Sequence, residues 1–166
     1  MKGKRVLGWM LALILLGLCG CRRQVQSCQE LLESVMAEES TLPAGACYFF
    51  GVEEGQTGYF NGTVMRAMYG EDAGEIFDLL EDYGIYLSSF ASPSEIAIFR
   101  CRSPSDVGQV EAMCRNRVDQ LCVALRGTVF FEQAETARIA RDGRTVVMVM
   151  TEDSAATLHT LKGLMD

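Results

Sequence analysis

The run Val146–Met150 (Val-Val-Met-Val-Met) is apolar at every position, and Asp142-Gly143 stands just upstream of it. Successive side chains of a strand point to opposite faces, so a run that is apolar in both phases needs cover on both sides. This run is therefore expected to be an interior strand of a sheet. The segments 136–141 and 144–150 flank Asp142-Gly143, a dipeptide suited to the positive φ angles of a type I′ turn, which predicts an antiparallel hairpin.

The remaining elements follow from periodicity and punctuation. Residues 85–90 read as a strand, Ser92-Pro93-Ser94 as a turn, and Glu95–Cys101 as a second strand. In that second strand Ile96 and Ile98 share one face, and Ala97, Phe99 and Cys101 the other. Ser103 has the character of an N-cap, with Pro104 at the first helical position and Asp106 three residues on. Val107, Val110, Cys114, Val118, Leu121 and Leu125 then form the stripe of a long helix closed by Gly127. Ser154–Met165 makes a closing helix. Upstream, 46–52 is a short strand and Gly51, Gly55 and Gly58 punctuate a loop. Residues 63–69 and 73–83 read as helices, the second ended by Gly84. Residues 22–40 form an amphipathic helix with Val25, Cys28, Leu31, Leu32, Val35 and Met36 on one face, expected to be a short stalk docking on the domain. The fold class this predicts is α+β: an antiparallel sheet of about four strands packed against helices, in a single domain over 41–166.

The amino terminus has a different logic. Lys2, Lys4 and Arg5 precede an uncharged run over 6–18, the layout of a secretory signal, and the run is short for a bilayer span. It ends in Leu18-Cys19-Gly20-Cys21, which resembles a lipobox, with the small Gly20 just before the thiol that would take the lipid. The resemblance implies a signal peptide over 1–20, a lipid anchor on Cys21 leading into the helix that ends near 40, and a cell-membrane location on the extracytoplasmic face; an uncleaved signal anchor is the alternative, and in both readings the domain is exported. Two acyl chains suffice for stable anchoring. Loss of residues 1–20 would remove three of the 15 basic residues, leaving 12 against 22 acidic ones and a net charge of -10. A phosphate backbone would be repelled overall, which argues against nucleic acid as a partner.

Tyr83-Gly84-Ile85, Glu95–Phe99, the helix centred on Arg117–Gln120, and Gly143 before an apolar strand follow one another in an order that resembles the clostridial lipoprotein family called domain of unknown function 4358. The resemblance covers about residues 75–151. It departs at Val129–Glu132, where the family has a tyrosine-proline stretch. The family carries no established activity; what it implies is the anchor, the export and the fold class.

Chemistry-bearing residues are few. Beyond Cys19 and Cys21 there are Cys28, Cys47, Cys101, Cys114 and Cys122, with no C-x-x-C pair and no zinc-like spacing, so no metal or cofactor is expected. Most sit on apolar faces, where cysteine acts as a small hydrophobe; a bridge such as Cys47–Cys101 is the alternative. His159 is the one histidine, without a nucleophile motif beside it. Glu71, Glu75, Asp78 and Asp82 recur at spacings of four, three and four along one helical face, and a solvated acidic surface accounts for them better than a calcium loop. Residues 100–144 hold eight arginines against six acids, unlike the acidic stretch before them. Arg100, Arg102, Arg115 and Arg117 are the candidate contacts for an anionic polymer or lipid headgroup, or else pair with acids of their own domain. The sum is a membrane-anchored binding module for an envelope protein or an anionic polymer. The alternative is an exported envelope hydrolase whose site assembles from scattered residues.

Overall fold

The computed structural model describes residues 26–89 and 92–166. The signal run, the lipobox and Cys21 lie outside the described residues. In chain order the elements are α1 (Cys28–Glu38), β1 (Gly45–Phe49), α2 (Gly62–Tyr69), α3 (Ala73–Phe77), β2 (Leu80–Ser88) and β3 (Glu95–Cys101). A 3₁₀ turn (Pro104–Asp106) leads into α4 (Val107–Ala124), α5 (Phe131–Glu135), β4 (Arg138–Asp142), β5 (Thr145–Met150) and α6 (Ser154–Met165). The five strands form one antiparallel sheet in the order β1-β2-β3-β5-β4, so the fold is α+β with one strand more than the approximate count expected.

Helices cover both faces, as the apolar β5 requires. Val147 and Val149 of β5, with Ile96 and Ile98 of β3, pack beneath α1 and α6. Val146 and Met148, with Ala97, Phe99 and Cys101, pack against α2, α3 and α4. On that second face Phe60, Tyr69, Phe77 and Phe99 meet edge-on or tilted, with ring centroids 5.7–6.2 Å apart, a favoured geometry for aromatic pairs.

The helix expected to dock on the domain does dock, and closely enough to form part of its core. Ser27 and Glu30 close a capping box at the start of α1, and Cys28, Leu32 and Val35 are fully buried. Burying that stripe, at about 1.5–3 kcal/mol per large apolar side chain, makes α1 part of the domain rather than a spacer.

The helix expected over 73–83 stops at Phe77, and β2 begins at Leu80. Gly84 is accordingly not a helix cap but a mid-strand residue. A Cβ there would lie 2.6 Å from the Cys28 carbonyl oxygen, so glycine is what lets α1 press onto β2. Gly84→Ala is expected to cost about 1–3 kcal/mol and lower the Tm by several degrees, because the obstacle is backbone that cannot rotate away. Thermal unfolding checks this, and an unchanged Tm would mean that α1 sits less tightly than described.

The β4–β5 hairpin forms where expected, but its loop is Gly143-Arg144, since Asp142 pairs with Thr145. Gly143 has φ +54°, and among the described residues no non-glycine residue has positive φ. Positive φ at the first loop position alone is the type II′ pattern, not type I′.

Candidate functional site

Two features of the fold concentrate polar side chains, and both lie at the same end of the sheet. The first is buried. Glu95, the first residue of β3, is 1% exposed and faces α4. Its Oε1 accepts from the Tyr69 hydroxyl at 2.6 Å, and its Oε2 accepts from Nε and a terminal nitrogen of Arg117, each at 3.0 Å. Tyr69 comes from the end of α2 and Arg117 from the middle of α4, so one carboxylate ties both helices to the sheet. Burial, with the Glu95 carboxylate beside it, pushes the Tyr69 phenol well above its usual range. Burial likewise raises the neighbouring Cys114 thiol, holding it in its neutral, unreactive form. Among the described residues no buried side-chain polar atom lacks a partner. The geometry suits the Glu95 centre to fastening α2 and α4 to the sheet.

The second feature is a groove of about 560 Å³, walled by the turn before β3, by α5 and by the β5–α6 connection. Ser94 forms its floor: it is 5% exposed, and its hydroxyl meets Gln133 Nε2 at 2.9 Å and the Ser92 hydroxyl at 2.8 Å. Ser154, at the start of α6, bonds the Thr151 backbone at its other wall, while the Asp153 carboxylate caps the helix through the Ala156 N–H. Val129 stands at the rim, 89% exposed. Its charged lining is Arg138 against Glu132, Glu152 and Asp153. An anionic polymer would be repelled there; a ligand rich in hydroxyl, amide or amino groups would find both donors and acceptors. The groove draws on four separate stretches of chain, and no local pattern in the sequence announces it.

The four arginines read as a possible anion patch do not converge. Arg100 pairs with Asp82 at 3.5 Å and donates to the Gln26 carbonyl, on the α1 face of the sheet. Asp82 also accepts from the Cys28 N–H at 2.7 Å, so it fastens the start of α1 instead of lying on an acidic helix face. Arg102 donates to the Asp78 carbonyl at the end of the sheet away from the groove. Arg117 is taken up by Glu95, and Arg115 pairs with Glu111 within α4 on the opposite face from Arg100.

The five described cysteines are all free. Cys47 packs on the α1 face and Cys101 on the α4 face, so the sheet itself separates the pair considered for a bridge. His159 is exposed on α6, on the other side of the sheet from Glu95. Among the described residues no cluster of metal-ligating side chains occurs, and no helix is long and apolar enough to cross a membrane.

No protein-family model matches the chain, and no curated protein or solved structure matches it either.

Proposed function

We propose that this chain is an exported lipoprotein, held to the outer face of a membrane through lipid on Cys21, and that its domain is a non-catalytic binding module for another envelope component. The lipobox and the charged, then apolar, amino terminus support the anchor. One geometric observation carries the module. Six residues, Arg22–Ser27, separate Cys21 from the first turn of α1, a reach of at most about 25 Å. Helix α1 starts beside Asp82 and Arg100, where β2 begins and β3 ends, and runs about 16 Å toward the opposite end of the sheet. The groove lies at that opposite end, where β3 begins and β5 ends. A lipid on Cys21 thus keeps one end of the domain at the bilayer and turns the groove away from it, toward whatever the envelope presents.

The test uses Ala155, an exposed residue of the groove wall. Ala155→Cys should react with a membrane-impermeant maleimide in intact cells, above the background from the partly exposed Cys47 and Cys122 of the parent. Labelling that appears only after lysis would contradict an outward-facing domain.

A further inference from the structure

We propose that the groove at the far end of the sheet binds a saccharide carrying a free amino group, a ligand class that rests on reading the domain as an envelope binding module. The fold gathers its buried polarity at this place. Among the described residues the buried polar side chains are Ser94, Glu95, Thr151, Ser154 and Thr157, and all stand where β3 begins and β5 ends. Enclosing polar groups is costly unless each is hydrogen-bonded. The other end of the same two strands closes with apolar side chains instead, such as Cys101 and Val146. Ser94 and Ser154, 5% and 3% exposed, bring two of the hydroxyls to the groove. A hydroxyl has one donor and two acceptor sites, and Ser94 spends two of them on Gln133 and Ser92. One remains for a ligand.

The rim selects the class. Arg138, Glu132, Glu152 and Asp153 line the groove, and among the described residues none of them is in an ion pair. Asp153 gives one oxygen to the Ala156 N–H, and Arg138 uses one terminal nitrogen on the Thr136 and Ala137 carbonyls. Three carboxylates against one guanidinium make the rim acidic, so it attracts an ammonium group and repels acidic glycans and phosphate polymers. The remaining guanidinium donors and the Gln133 amide suit the oxygens of ring hydroxyls, and the carboxylates accept from those hydroxyls. Phe130 adds an aromatic face on which the C–H side of a sugar ring can rest. A peptide is the poorer occupant, because β3 and β5, whose ends form the groove, are interior strands and offer a main chain no free edge. The groove's volume of about 560 Å³ lies within the roughly 300–1,000 Å³ of small-ligand sites.

The test is isothermal titration calorimetry of the full chain in detergent micelles with a glucosamine tetrasaccharide, its fully N-acetylated counterpart, and tetralysine. The amino tetrasaccharide should bind about tenfold or more tightly than either of the others. N-acetylation removes the charge and keeps the hydroxyls, while tetralysine keeps the charge without them. Glu132→Gln combined with Glu152→Gln replaces two exposed carboxylates and should weaken the amino tetrasaccharide about tenfold, with the Tm little changed. Four results would each overturn the proposal: no measurable binding of the amino tetrasaccharide, equal binding of its N-acetylated form, tetralysine binding as tightly, or a double variant that binds like the parent. All are read in solution, whereas the Ala155→Cys labelling reads the orientation of the domain in cells, so the two failures are distinct.

Discussion

Glu95→Ala is expected to destabilise the domain by about 3–5 kcal/mol, a large share of the roughly 5–15 kcal/mol that holds a domain of this kind together. The size comes from what the substitution leaves behind. Arg117, with its side chain 12% exposed, would keep its charge and lose its carboxylate, and the fully enclosed Tyr69 hydroxyl would lose its acceptor. Removing both ends behaves differently: Glu95→Leu with Arg117→Leu should recover most of the loss, because no orphaned charge remains. Tyr69→Phe should cost only about 1 kcal/mol, the net worth of one hydrogen bond. Urea unfolding of the four proteins measures the series. A Glu95→Ala loss below about 1 kcal/mol would mean that water reaches the pair and screens it, contrary to the burial described.

That centre illustrates what sequence reasoning could and could not see. Glu95 stands at the head of a strand whose alternation is plain, and Arg117 lies on a helix whose stripe is plain, so both elements were legible. Their pairing spans 22 residues and depends on where α4 crosses the sheet, which no local period encodes. The same holds for the groove, assembled from loops whose backbone conformations are set by the elements around them. The clear misreading is the stretch 78–83. Leu79 and Leu80 continue a helical spacing from Ile76, and Asp78 and Asp82 extend an acidic face, so local propensity favoured helix. Tertiary demands prevail there: β2 fills the place between β1 and β3, Gly84 admits α1, and Asp82 serves as partner to both Arg100 and the Cys28 N–H. By contrast β5, its hairpin and α6 were readable because each is fixed within its own segment: an unbroken apolar run, a glycine with positive φ, and an Asp153 cap before an apolar stripe.

The second large effect concerns the anchor. Cys21→Ala removes the only thiol that the lipobox places after a small residue, since Cys19 follows Leu18. Without an acyl acceptor the precursor should remain uncleaved and carry no lipid. The outcome is close to all-or-none, and the variant should run as the larger precursor while the parent runs as the mature form. The domain itself should be unaffected, because α1 takes its cap from Ser27 and its tether to the sheet from Asp82, both downstream of Cys21. A Cys21→Ala protein processed like the parent would place the cleavage, and with it the anchor, elsewhere.

The most direct measurement is the intact mass of the parent protein extracted from membranes, with fragmentation of its amino-terminal peptide. The account predicts a chain that begins at Cys21, its mass raised by a diacylglyceryl group on that thiol. An unmodified Cys21, or an amino terminus at any other residue, would contradict it.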